Sequence, residues 1–216
     1  CGECIRVCPH HAKLATYDPI DVLKNYEYKV ALPAPSLYAQ FNNLDDINIV
    51  LNALKLMGFD DVYEVSSAAE MVSEMSRRYV ADNKEKRPFI STACPTIVRL
   101  VSIRFPNLIE HLLPFNAPVD IAASLARKKA IENTGLPSDK IGVIFISPCP
   151  AKVTACKKPI GIDKSDVDAV IAIKEVYPVL LPLMKQVVDM PEELSSSGRI
   201  GVSWGNSGGE SGGMLT

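Results

Sequence analysis

The chain lacks an excess of either charge. Its 23 Lys and Arg against 25 Asp and Glu leave −2 at neutral pH, which gives no reason to expect nucleic acid or an anionic membrane as partner. It has no apolar run near the roughly 20 residues that span a bilayer. A signal-peptide pattern is absent too, since the sequence opens on polar and cysteine-rich residues. No internal repeat or low-complexity tract interrupts it. No Gly-Lys-Ser/Thr follows the glycines at 205, 208, 209, 212 and 213, so the resemblance of that run to a phosphate loop goes no further. It reads instead as a turn packed beside a functional site. There is no initiator Met, and Ser211 to Thr216 read as a turn entering another element, so both ends are expected to continue in a longer chain. What is there, 47% hydrophobic and 22% charged residues, is ordinary globular composition, enough for one large core or two small ones.

Six cysteines lie at 1, 4, 8, 94, 149 and 156. Three crowd into the first eight residues and the others are far apart, which is poor arithmetic for a disulfide framework. Metal ligation in a reducing cytoplasm is the better reading. Cys1-Gly2-Glu3-Cys4-Ile5-Arg6-Val7-Cys8-Pro9 has the spacing C-x2-C-x3-C-P, which matches the last three cysteines of the bacterial ferredoxin run. Such close cysteines wrap a tight turn around one 4Fe-4S cubane and aim backbone N–H groups at its sulfides. A zinc knuckle, the alternative, would want a second C-x2-C or a His pair, and the adjacent His10 and His11 are poorly placed to close one tetrahedral site. Residues 1–27 therefore read as the end of a ferredoxin-like segment and a linker.

The other informative stretches are Ser91-Thr92-Ala93-Cys94-Pro95 and Ser147-Pro148-Cys149-Pro150-Ala151-Lys152. Each follows an apolar run that reads as a strand, 88–90 and 141–146, and each places Cys-Pro where the strand ends. Pro95 suits the first position of a helix. Cys94 would then cap that helix, where the dipole favours a thiolate. A thiolate at a strand end in apolar surroundings is what an iron–sulfur cluster needs.

Further strands are expected at 28–33, 61–65, 168–173 and 199–204. Helices are expected from an Asn43 cap to Gly58, from a Ser67/Glu70 capping box to about Tyr79, from Pro95 to about Arg104, from Pro118 to Gly135, and from Lys174 to about Val188. Val- and Ile-rich strands alternating with helices give an α/β fold with largely parallel sheets flanked by helices. Ligand groups then belong at the carboxyl ends of the strands, where Ser36, Cys94, Cys149 and the 205–213 glycines fall. Cys156 fits no motif and reads as an incidental thiol, and His111 reads as structural. Arg77 and Arg78 read as solvated charges complementing a helix end.

A ferredoxin-type run, then Ala34-Pro35-Ser36, a Thr-x-Cys-Pro turn, a Pro-Cys-x-x-Lys turn and a Ser-Gly-Gly segment resemble the catalytic domain in the large chain of iron-only (FeFe) hydrogenases. The resemblance covers nearly the whole chain, with residues 28–216 as the hydrogenase-like domain. It implies two lobes around a cluster site, in which a 4Fe-4S cubane is bridged to a diiron unit carrying CO and cyanide, the H-cluster. Cys94 and Cys149 would be two of the four cubane ligands, with the other two in a motif beyond position 216. Lys152 would hydrogen-bond a cyanide, and Ser36 would contact the diiron ligands. Implied partners are ferredoxin or fused 4Fe-4S domains as electron carriers, and a fused signalling domain.

Three departures from the family pattern stand out. Ala93 replaces the cysteine that donates a proton to the diiron site, Ala155 replaces a glutamate of the proton path, and Ser147 replaces a methionine. Two of these remove proton-transfer groups while the matched cubane ligands and the lysine are kept. A general acid contributes roughly 10²–10⁴ in rate, so the pattern resembles the sensory branch of the family: slow hydrogen turnover or hydrogen sensing. Two other functions compete with it: a non-catalytic iron–sulfur protein similar to the hydrogenase-like cluster-assembly factors, and an electron-transfer module in which only the ferredoxin clusters matter.

Overall fold

The computed structural model describes residues 3–215, with side chains from Ile5 to Met214. After a short helical turn α1 (Glu3–Arg6), the fold is built on strand β1 (Tyr28–Pro33), followed by α2 (Pro35–Tyr38), α3 (Ile47–Leu56), β2 (Asp61–Val62) and α4 (Val65–Asp82). Then come α5 (Pro95–Arg104), α6 (Pro118–Thr134), β3 (Ile141–Ser147), α7 (Pro150–Lys157), β4 (Ala169–Ala172), α8 (Ile173–Val187), α9 (Arg199–Ser203) and α10 (Gly209–Leu215). The four strands form one parallel sheet in the order β2-β1-β3-β4. Parallel strands buried on both faces call for continuous apolar runs, and all seven residues of β3 are buried.

Alternation along each strand divides the core. Val30, Leu32, Val143, Phe145 and Val170 face α4, α6 and α7, whose Ala68, Ala122, Ala126 and Val153 pack onto them. Ala31, Ile144, Ile146 and Ile171 face the other way, toward Val50, Leu51 and Leu54 of α3 and Val176 and Leu180 of α8. Burying each large side chain is worth about 1.5–3 kcal/mol. Because every strand runs the same way, the turns at 34–36, 147–149 and 172–173 share one edge of the sheet.

The expected strand at 88–90 is reduced to a single parallel bridge, Ile90 to Leu112, outside the sheet. α5 follows it and packs against the 3-10 turn Pro106–His111 and against α7. The stretch at 199–204 is helical, not a strand. Gly201 presses α9 onto α4 so closely that an added Cβ would overlap the Ser66 carbonyl. Its short apolar run carried no period that separates the two states. The cap of α3 is Asp46, which accepts from the Asn48 N–H at 2.8 Å, while Asn43 takes a left-handed φ of 56° in the preceding turn. The Ser67/Glu70 box does not form: α4 begins two residues earlier, at Val65, and Glu70 turns away to accept from the Gly198 N–H (2.8 Å). Gly135, in the left-handed region, ends α6 as expected. Arg77 and Arg78 pair with Glu74 within α4, and His111 bonds the Lys86 carbonyl (3.0 Å) in a structural role.

Candidate metal centre

Cys94 and Cys149 occupy equivalent positions. Each is the N-cap of a helix whose first residue is proline, and their backbones nearly coincide in conformation: φ −96°, ψ 108° for Cys94 and φ −103°, ψ 109° for Cys149. Neither side chain caps its helix, so neither sulfur is engaged by the N–H groups of its own first turn. Both thiols are free and half-buried. A serine at the strand side steadies each turn: Ser147 Oγ accepts from the Cys149 N–H (3.2 Å) and Ser91 Oγ from the Ala93 N–H (3.2 Å). Thr92 donates to the Phe115 carbonyl (2.5 Å), and Tyr17 to the Pro148 carbonyl (2.8 Å).

One contact joins the two turns. Lys152, in the first turn of α7, donates from Nζ to the carbonyl of Ala93 at 2.8 Å, across 59 residues of sequence. Burial holds its ammonium below the usual lysine range. The Asp120 carboxyl, and after it the Cys149, Cys156 and Cys94 sulfurs, act in the opposite direction. Burial raises Asp120, and Lys152 lowers it. Cys156 is pushed up to about 11, chiefly by burial. With Thr92, Asp120, Lys152 and Ala155 it lines a cavity of about 430 Å³ between α5, α6 and α7.

Ser36 lies on the same sheet edge as the Cys149 turn, because Pro33 pairs with Ile146 and the Ala34 N–H donates to the Ile146 carbonyl (3.1 Å). Its own carbonyl accepts from Gln40 (2.9 Å), and Gly205 packs against its backbone. Cys8 stands apart. Backbone N–H groups of Ala12 and His10 hydrogen-bond its sulfur and lower it below the usual thiol range. Cys1 and the side chain of Cys4 lie outside the described residues. Among the described residues no three His, Cys, Asp or Glu side chains form a group that could hold a metal ion. Two free cysteines at the starts of neighbouring helices are, in kind, the donors that an iron–sulfur group takes.

Sequence reading names both cysteines, Lys152 and Ser36 for this site. It does not single out Asp120, or Glu210, whose carboxylate accepts from Ser91 Oγ beside the first turn. An acid just inside a proline-opened helix, and an acid amid glycines, were the available signals.

The family described as iron only hydrogenase large subunit, C-terminal domain, matches residues 27–216. The NADP-reducing hydrogenase subunit HndD of Solidesulfovibrio fructosivorans is 24% identical over 89% of this chain and 37% of its own. Iron hydrogenase 1 of Clostridium pasteurianum is 25% identical over 76% of this chain and 32% of its own. The chain thus spans about a third of the length of these relatives. The cytosolic Fe-S cluster assembly factor nar1 of Aspergillus flavus is 24% identical over 50% of this chain and 18% of its own. Among solved structures, a variant of FeFe-hydrogenase HydA1 from Chlamydomonas reinhardtii superposes with a TM-score of 0.57 at 16% identity, covering 84% of this chain and 47% of that one. This last likeness is one of fold.

Proposed function

The chain belongs to the family formed by the C-terminal domain of iron-only hydrogenase large subunits, and from that premise we propose that its two Cys-Pro turns hold an iron–sulfur cluster in a hydrogen-converting or hydrogen-sensing protein. The observation that carries this reading is the 2.8 Å bond from Lys152 to the Ala93 carbonyl, which brings two distant cysteine turns to one place. When bound, a 4Fe-4S cluster with its diiron subsite supplies one-electron transfer and the chemistry of dihydrogen. Cys94 and Cys149 serve as two of its thiolate ligands. Lys152 offers a partly desolvated cation to an anionic ligand of the diiron unit, where a charge-assisted bond is strongest. Ser36 contributes from the rim. Ala93 has no proton to give, so turnover is slow and sensing is the favoured role.

Cys1, Cys4 and Cys8 hold a ferredoxin-type 4Fe-4S cluster that passes electrons to ferredoxin or fused 4Fe-4S domains, and a fused signalling domain reads the hydrogen state. The N–H groups around the Cys8 sulfur support its thiolate. Free thiols at Cys8, Cys94, Cys149 and Cys156 suit a cytoplasmic location. Among the described residues no helix is long and apolar enough to cross a membrane.

The second reading is a non-catalytic cluster-assembly protein. The match to nar1 and the alanines at 93 and 155 favour it. Replacing Lys152 with Ala in the full protein separates the two. Hydrogen-dependent activity should fall and the infrared bands of bound CO and cyanide should shift. If both survive unchanged, Lys152 does not serve a diiron unit.

A further inference from the structure

Ala93 carries no functional side chain, yet its peptide units are held from both sides. On the amide side the Ala93 N–H donates to Ser91 Oγ (3.2 Å), and the Ser91 hydroxyl donates to Glu210 Oε1 of α10. On the carbonyl side Lys152 Nζ donates from α7. Both peptide units that flank the Ala93 Cα are therefore held: Glu210 acts through Ser91 on the Thr92–Ala93 unit, and Lys152 holds the carbonyl of the Ala93–Cys94 unit. The two anchors come from opposite sides, a carboxylate on one and an ammonium on the other, just ahead of Cys94. A bond accepted by a carboxylate is roughly twice as strong as a neutral one, so the Glu210 end fixes the rotor of Ser91.

The segment that delivers Glu210 is itself tied down. Glu70 accepts from the Gly198 N–H (2.8 Å), and Trp204 Nε1 donates to Ser73 Oγ (2.9 Å). Gly209 leaves no room for a Cβ beside the Ser203 carbonyl. Glu210 is half-buried and sits amid glycines that could not supply such a contact.

We propose that Glu210 is a positioning residue for the first cysteine turn, acting through Ser91 to fix the Thr92–Ala93 peptide while Lys152 holds the Ala93–Cys94 peptide that follows it. The hydrogen-bond claim stands on its own, and its consequence for cluster holding rests on Cys94 being a ligand. The test is amide exchange at Ala93 by NMR in the full protein, purified both without cluster and after iron–sulfide reconstitution. Glu210→Ala should speed exchange of the Ala93 amide about tenfold, as loss of one such bond predicts, and Glu210→Gln, which keeps an acceptor, should restore most of it. In a Ser91→Ala background Glu210→Ala should add nothing further, a result that general loosening of α10 would not give. An unchanged Ala93 amide in Glu210→Ala, or an equal effect with and without Ser91, overturns the proposal. Because the cluster-free sample reports on the turn alone, failure of the iron–sulfur assignment would show separately, as absent iron with the exchange pattern intact.

Discussion

At the scale of single residues the proposed site sets two candidate cluster ligands, Cys94 and Cys149, beside alanines at 93 and 155. Ala93 stands beside Cys94 with its carbonyl already engaged by Lys152, so the geometry is kept where the acid is gone. Ala93→Cys should raise hydrogen turnover by about 10²–10⁴ if proton delivery limits it; unchanged turnover with the cofactor in place would contradict that account. Lys152 makes a second prediction. Burial depresses its folded-state value, so the folded chain bears a cost for the ammonium at every pH below that value. The cost fades as pH rises and is gone above the unfolded value of about 10.4. Lys152→Met should therefore raise the melting temperature at pH 7 by a few degrees, with the gain shrinking at pH 10.5; thermal unfolding at the two pH values reads it. Function kept at the expense of stability is common at such sites. The cysteines and this lysine were legible because spacing and Cys-Pro order survive in sequence. Asp120 and Glu210 were not, since a lone carboxylate gains meaning only from what folding places opposite it.

Among elements, the stretch after α8 shows where pattern reading ran out. Buried Glu64, 3% exposed, caps nothing by its side chain. It accepts instead from Tyr38 Oη (3.0 Å), from Ser195 Oγ (3.1 Å), and from the N–H groups of Ser196 (2.7 Å) and Ser197 (3.2 Å). This carboxylate straps residues 195–197 onto α4, Glu70 takes the Gly198 N–H, and together they set the start of α9. Ser67, expected to cap α4, joins the same strap through Ser196 and Ser197. Local signals put a capping box and a strand here, and long-range bonding overrode both. Glu64→Gln should cost about 3 kcal/mol, because an amide turns donors toward N–H groups that need acceptors. For a chain of this size that lowers the melting temperature by roughly 6–12 °C. A loss under a degree would show that the strap is held by other means. By contrast β1, β3, α5, α6 and α8 were readable, since hydrophobic period, proline starts and Gly135 all agreed with the packing that formed.

Over the whole molecule, the parallel order β2-β1-β3-β4 makes the site possible. Neighbouring parallel strands deliver Ser36 and Cys149 to one edge, and the Lys152–Ala93 bond ties the Cys94 turn to that edge. Sequence alternation disclosed the α/β class and the parallel sense. It did not disclose that the run at 88–90 would stay outside the sheet with only the Ile90–Leu112 bridge, because a single bridge has no periodic signature. The central claim, that Cys94 and Cys149 grip the same inorganic group, is tested most directly by iron and sulfide analysis of the reconstituted full protein. Cys94→Ala and Cys149→Ala should each remove the same one cluster's worth of iron, the double variant no more than either, and Cys156→Ala none. Full iron retention in either single variant, or a double variant losing twice the single amount, would contradict it.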